Sequence, residues 1–394
     1  MKKIVSLFVL ILFVSASHGQ RYLTAIFNTA DSIPDIPYGS ALNFKNVSQT
    51  LLLDFYEPKG DSLTRRPLII YLHGGGFCDT GQTRKLLSIQ VFCYYMALRG
   101  YAVASIDYRL DSTCFGPSFL SNRAIINAMH DAKASIRYFK ANAGTFRIDT
   151  TKIFIGGESA GAITALTASY IDKMNEVLYP HTPPYSADNS VEGNSGNNGH
   201  TSHVKATLCF CGGTTVLGTY PVFDTAAINS QSDPPLFMVH GTNDSLIFIN
   251  HSLDVAARAN NLHLFNIFYP MYGASHCPWF YPLPNSWIYL DTLVNYTSAF
   301  LYSYILNPTD INESTINKEA LYIYPNPMNS SATIFAEMKN CSVKIFDLTG
   351  SVVRNFSNIS QFPFTIDKGN LTSGIYFLEL CAEDRIERMK LVIN

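Results

Sequence analysis

From about residue 36 the chain alternates short, almost wholly apolar runs with longer stretches of helical spacing, and this alternation restricts the fold more than any other feature. The runs Leu51–Tyr56, Leu68–Leu72, Ala102–Tyr108, Lys152–Ile155, Val204–Cys211, Leu236–Val239 and His263–Tyr269 are rich in Val, Ile, Leu and aromatic residues and read as strands. Between them, Leu86–Leu98, Ser121–Ala143, Ala160–Met174, Ser245–Asn260 and Ser286–Leu306 read as helices. Strands that are apolar nearly throughout need cover on both faces, which a mostly parallel sheet between helices provides. The expectation is an α/β domain over residues 20–306.

The pattern changes beyond residue 306. Residues 307–320 are polar, contain Pro308 and show no sustained period, as expected of a linker. Residues 321–394 hold only short strand-like runs with turn residues between them, such as Asn326-Pro327, Thr349-Gly350 and Lys368-Gly369, which predicts a small all-β sandwich. Within the first domain, His181–His203 is a cluster of Pro, Ser, Asn and Gly expected to run over the surface, either shaping a substrate cleft or lying loose.

Composition narrows the function. With 28 Lys and Arg against 30 Asp and Glu, the 394-residue chain has a formal charge of -2 and no global basic field for nucleic acid. Lys2 and Lys3 precede the apolar run Ile4–Val14 and the small residues Ser15, Ala16, Ser17 and Gly19, the layout of a cleavable secretory signal over residues 1–19. No other segment approaches the length of a transmembrane helix, so the mature chain is expected to carry none. Export permits disulfides among the eight Cys, and Cys78 with Cys114 is the favoured pair because both follow strands. With no CxxC and no HExxH, little supports a zinc site or a thioredoxin-type redox motif, and metal chemistry is not the first expectation.

The chemistry concentrates at strand ends. Ile153–Gly161 reads IFIGGESAG, a strand running through Gly157-Glu158-Ser159-Ala160-Gly161 into a helix. A G-x-S-x-G in that setting is a nucleophile elbow, with Ser159 projected from the sheet edge; a phosphate-cradling loop would need a following Lys that is absent. Leu68–Phe77 reads LIIYLHGGGF, a strand ending in glycines whose N–H groups can approach a substrate oxygen. The candidate oxyanion hole is Gly75, Gly76 and Ala160, and His73 is expected to pin the loop. A serine needs a base and the base an orienting acid. Asp244 follows the strand Leu236–Val239 and His276 follows the strand His263–Tyr269, so both stand at the ligand-binding edge of an open α/β sheet. Asp233 is the alternative acid, but it precedes its strand; His240, His251 and His263 have no comparable placement.

Taken with HGGGF, GESAG, LLLDFYEP (residues 51–58), Tyr108-Arg109-Leu110, Asp131-Ala132 and His240-Gly241-Thr242, these features resemble the α/β-hydrolase superfamily in its carboxylesterase-like branch. The resemblance implies ester hydrolysis through an acyl-enzyme with no cofactor, on short acyl esters or on acetyl or feruloyl esters of polysaccharides. A serine peptidase of the same fold and a non-catalytic surface binding protein on a hydrolase scaffold stand as alternatives. The C-terminal motifs Tyr324-Pro325-Asn326-Pro327, VKIFDLTG (residues 343–350), Ser373-Gly374-Ile375-Tyr376 and Lys390-Leu391-Val392 resemble the sorting domain of the type IX secretion system of Bacteroidetes. That resemblance implies type IX secretion machinery as a partner and a final location outside the cell or on its surface.

Overall fold

A computed structural model describes residues 21–306 apart from 80, 112–117, 174–175, 177–189, 217–219, 222, 281–282 and 284. It also describes residues 322–393 apart from 325, 327, 337–338, 348–350 and 383–385. The expected signal segment, the linker, Cys114 and the first part of the 181–203 stretch lie outside the described residues. The chain divides into two compact units, Met1–Pro308 and Thr309–Asn394.

The first unit is built on an eight-stranded sheet. Its strands are β1 (Ala30–Leu42), β2 (Ser48–Pro58), β3 (Arg66–Leu72), β4 (Ala102–Ile106), β5 (Ile148–Glu158), β6 (Ala206–Phe210), β9 (Leu236–Gly241) and β10 (Asn266–Met271); the short pair β7 (Thr215–Val216) and β8 (Tyr220–Pro221) stands apart. The sheet order is β1-β2-β4-β3-β5-β6-β9-β10, with β1 and β2 antiparallel and the other strands mutually parallel. The helices are α1 (Leu87–Leu98), α2 (Ser118–Ala141), α3 (Ala143–Phe146), α4 (Ala160–Tyr170), α5 (Asn250–Asn261) and α6 (Ser286–Phe300).

The side chains of β3 show why this sequence makes three layers. Leu68, Ile70 and Leu72 join a core cluster with α2, α4 and α5, while Ile69 and Tyr71 join another with α1 and α6. Successive strand residues point to opposite faces, so a strand apolar at every position is buried on both sides. Truncating one of these side chains to Ala costs about 2–5 kcal/mol.

Three expectations need correction. β1 carries Pro34 and Pro37 and is mostly exposed, so its sequence does not read as a strand; it exists because it pairs with β2 at the sheet edge, where missing N–H donors are tolerated. The helix after Asp244 begins at Asn250 rather than at Ser245, because the Asp244 carboxylate draws the Leu246 and Ile247 N–H groups into a tight turn at 2.9 Å each. Residues 190–203 run largely over the surface but are anchored to it: Ser195 is fully buried, donates to Asp131 (2.7 Å), and accepts from Arg109, while Glu192 pairs with Lys133 and Arg137. Apolar content was a poor guide there because the segment is held by polar groups of α2.

Among its described residues the second unit holds seven strands, in keeping with the all-β pattern of the sequence. β11 (Tyr322–Tyr324), β12 (Ser331–Phe335) and β15 (Phe364–Asp367) form one antiparallel sheet, and β13 (Cys341–Phe346), β14 (Val352–Ile359), β16 (Gly374–Cys381) and β17 (Ile386–Ile393) form another. Ile323, Ile334 and Ile366 from the first meet Val343, Ile345, Leu378 and Leu391 from the second in one core, which makes the unit a small sandwich. Among the described residues, no helix is long and apolar enough to cross a membrane.

Candidate active site

The parallel strands β3, β5, β9 and β10 end at one edge, and each hands over to a loop carrying an expected site residue. Ser159 occupies the turn between β5 and α4 with φ 54° and ψ −118°, a region a non-glycine residue enters only under constraint. The constraint is visible on both sides. Its N–H donates to Phe210 O at the end of β6 (2.9 Å), and its carbonyl accepts from Ile163 N (3.1 Å). A Cβ added at Gly157 or Gly161 would collide with the Leu72 carbonyl oxygen, and at Gly161 also with that of His73. The flanking glycines are therefore dictated by how closely α4 approaches the end of β3.

His276 joins Ser159 to Asp244. Its Nε2 lies 2.9 Å from Ser159 Oγ and its Nδ1 lies 2.7 Å from Asp244 Oδ2. A carboxylate only accepts, so Nδ1–H donates to Asp244 and Nε2 is left to accept from the serine hydroxyl. Asp244 is buried and accepts four hydrogen bonds, the Leu246 and Ile247 N–H groups on Oδ1 and His276 and His240 on Oδ2. Burial alone would raise the pKa of this carboxyl; hydrogen bonds from His240 and His276 and the attraction of His276 outweigh it and hold the group well below the ordinary aspartate range. Ser159 and His276 are each partly exposed, whereas Asp244 is buried.

The glycine loop after β3 lies beside the serine, since a Cβ at Gly74 would stand 3.3 Å from Ser159 Cβ. Gly75 and Gly76 follow with φ of 110° and 64°, values that favour glycine, and both are partly exposed. Cys78 N–H donates to Gly75 O (3.1 Å), which fixes the Gly75–Gly76 peptide and turns the Gly76 N–H the opposite way. Ala160 is the first residue of α4, so its N–H has no intrahelical acceptor. His73 is buried; its Nδ1–H donates to Gly74 O (2.6 Å), its ring stacks on Tyr108, and burial lowers its basicity. These contacts pin the loop.

The remaining expected residues fall elsewhere. Asp233 lies before β9 and accepts from the Asn229 and Ser230 N–H groups in a turn. His251 contacts Thr214, and His263 stands in the turn ahead of β10. Phe77 and Trp279 are buried in the core. Cys78 is disulfide-bonded, while Cys211 is joined to Cys277. Among the described residues, one group of metal-capable side chains lies close together, Cys211, His276 and Cys277, and its two sulfurs are already bonded to each other.

Sequence reasoning passed over three contributors. His240 reaches Asp244 from the end of β9 at 3.1 Å; the His-Gly-x-x-Asp spacing across a tight turn was the signal for it. The Cys211–Cys277 bond was signalled by two cysteines placed just past strands of the same sheet edge. Glu158 stands at the variable position of the elbow motif, yet it is fully buried and accepts from Tyr71 (3.1 Å) and Trp279 (2.6 Å).

Residues 53–232 match the BD-FAE family model, and residues 322–394 match the Secretion system C-terminal sorting domain. The first match ends before Asp244 and His276. Among curated proteins the chain is similar to human (Homo sapiens) "Arylacetamide deacetylase-like 2", 29% identical over 150 residues covering 34% of this chain and 35% of that protein. It is also similar to the "Juvenile hormone esterase" of Heliothis virescens, 26% identical over 154 residues covering 37% of this chain and 26% of that protein. The matched stretches thus span about a third or less of those relatives' length. Among solved structures it resembles Thermogutta terrifontis esterase 2, including its form phosphorylated by paraoxon, with a TM-score of 0.52 and 22% identity covering 68% of this chain and 93% of that one. This last likeness is one of fold. The first unit thus has the fold of these esterases and carries a BD-FAE domain over residues 53–232, and residues 322–394 form a Secretion system C-terminal sorting domain.

Proposed function

We propose that the first unit is a serine carboxylic ester hydrolase that works through an acyl-enzyme. The observation that carries this reading is the hydrogen-bond chain from Asp244 through His276 to Ser159 at the exposed edge of the sheet. Ser159 Oγ attacks the ester carbonyl while His276 Nε2 takes its proton. The N–H groups of Gly75, Gly76 and Ala160 receive the developing oxyanion. The His276 imidazolium, steadied by Asp244, protonates the leaving alkoxide, and the acyl-enzyme is hydrolysed by a water that His276 deprotonates. The substrates are short acyl esters or the acetyl and feruloyl esters of polysaccharides. The sorting domain at residues 322–394 supports export across the outer membrane by type IX machinery, with release or retention at the surface.

The test is hydrolysis of a nitrophenyl ester series from acetate to decanoate, with acetylated xylan and methyl ferulate, by the full chain and by Ser159→Ala. Turnover confined to the wild type is expected, and its chain-length profile separates the substrate classes. Equal turnover by both proteins would sink the reading.

A further inference from the structure

We propose that Glu158 is a positioning residue for this reaction: its hydrogen bond to Trp279, together with the Cys211–Cys277 disulfide, holds the segment carrying His276 in register with Ser159. The inference rests on the reading that Ser159 and His276 are the reacting pair.

His276 lies between β10 and α6 in a loop that has to be held from outside. On its upstream side Gly273 N–H donates to Thr242 Oγ1 (2.8 Å) and Ala274 O accepts from Asn243 N (2.9 Å), so residues 272–274 are tied to the Asp244 loop. On its downstream side the ties go to the nucleophile. Cys277 is bonded to Cys211, which directly follows β6 and donates its N–H to Val239 O (2.7 Å). Trp279 Nε1–H donates to Glu158 Oε2 at 2.6 Å. Glu158 is the last residue of β5, and the next residue is Ser159. One residue therefore carries the serine on its backbone and the histidine segment on its side chain.

The arrangement is a poor choice for stability alone. Glu158, Trp279 and Tyr71 are all fully buried, and an apolar side chain at 158 would avoid desolvating a carboxyl group. The geometry of the carboxyl also has a consequence for its ionisation. Both donors use Oε2, and Oε1 is buried with no hydrogen-bond partner among the described residues, so a proton is accommodated on Oε1 while both bonds persist. Burial pushes this carboxyl up to about 7 against the opposing hydrogen bonds from Trp279 and Tyr71; Tyr71, Cys93 and Tyr108 are the titratable groups that face it. The bridge therefore needs an acceptor oxygen rather than a charge.

That distinction sets the experiment. In the full chain, Glu158→Ala is expected to lower kcat for nitrophenyl acetate by about 10- to 100-fold with KM within about twofold, because small misplacement of a base slows chemistry more than binding. Glu158→Gln keeps a carbonyl oxygen for both donors and is expected to recover kcat to within about threefold of wild type. Trp279→Phe, which removes the donor without touching residue 158, is expected to lower kcat in the same way and serves if Glu158→Ala does not fold. The rate at which a fluorophosphonate labels Ser159 is measured alongside and should fall in parallel. A Glu158→Ala protein with unchanged kcat, a loss confined to KM, or a Gln variant no better than Ala would overturn the proposal. Wild-type chain that labels but hydrolyses no ester would indict the substrate reading and leave the labelling rates to judge Glu158; wild-type chain that never labels would overturn both.

Discussion

The serine and the histidine of this site are held in opposite ways. Ser159 is fixed by its own neighbourhood: Gly157 and Gly161, two residues away on either side, pack against the end of β3 so closely that no side chain fits, and the strained turn follows from that packing. His276 is fixed at a distance, by Asn243 and Thr242 on one side and by Cys211 and Glu158 on the other. Packing within a local turn is indifferent to redox state, whereas a loop held by a disulfide responds to reduction and one held by a remote hydrogen bond responds to loss of the acceptor. The histidine half is accordingly where chemical conditions and remote substitutions should act.

Substitutions that delete the chemistry come first and should not distinguish the halves. Ser159→Ala and His276→Ala are each expected to lower kcat by about 10^4-fold or more, and the double variant by little beyond that, since the two act as a unit. A double variant far worse than either single one in steady-state assays would show that they act separately. Asp244→Asn should cost less, about 10^2- to 10^4-fold, because the Leu246 and Ile247 N–H groups hold the amide oxygen and its NH2 then faces His276 Nδ1, which disfavours the orienting tautomer. It also carries a stability signature. The native carboxyl is held below its unfolded value, so its contribution is present above the ordinary aspartate pKa of about 3.9 and is lost as pH falls through the native value. Thermal unfolding should place the Asn variant below wild type at pH 6 and bring the two together in acid.

Smaller effects separate the halves. Gly161→Ala should destabilise the chain by about 1–3 kcal/mol or more, because the obstacle is backbone carbonyl oxygen that cannot swing aside. Wild-type stability in that variant, read by denaturant unfolding, would mean that the elbow has slack. Replacing Cys211 and Cys277 together by Ser should remove about 2–4 kcal/mol of stability and lower kcat about 10-fold, while mild reduction of the wild type reproduces the loss of activity. A double variant with unimpaired kcat would show that the histidine loop needs no such tie. The smallest effect is at Glu158. Its native value of about 7 is raised above the unfolded one, so it contributes stability at low pH that is lost as pH rises through about 7. Glu158→Gln should flatten the fall in melting temperature between pH 5 and 8; an unchanged slope would place the titration elsewhere.

What the sequence disclosed follows the same division. The apolar runs, the GESAG elbow and the glycine loop are local patterns, and the structure has strands, turn and glycines where they stand. β1 was invisible because an edge strand with Pro34 and Pro37 owes its existence to pairing with β2, not to its own propensity. The buried clamp at Ser195 was hidden by its polarity, since Asp131 and Arg109 rather than apolar contacts hold it. Asp244 and His276 could be named from strand ends and chain order, whereas most of their supports depend on which strand ends the fold brings together. His240 on Asp244, Cys211 on Cys277 and Glu158 on Trp279 join residues 4, 66 and 121 positions apart, and only the first of these separations is a local pattern.

The most direct test of the account is a rapid-mixing experiment with nitrophenyl acetate, followed by acid quenching and peptide mass analysis. The account predicts a burst of about one nitrophenol per chain and an acetyl group on the peptide containing Ser159. Steady release from the first turnover, with the acetyl group absent or on another residue, would contradict it.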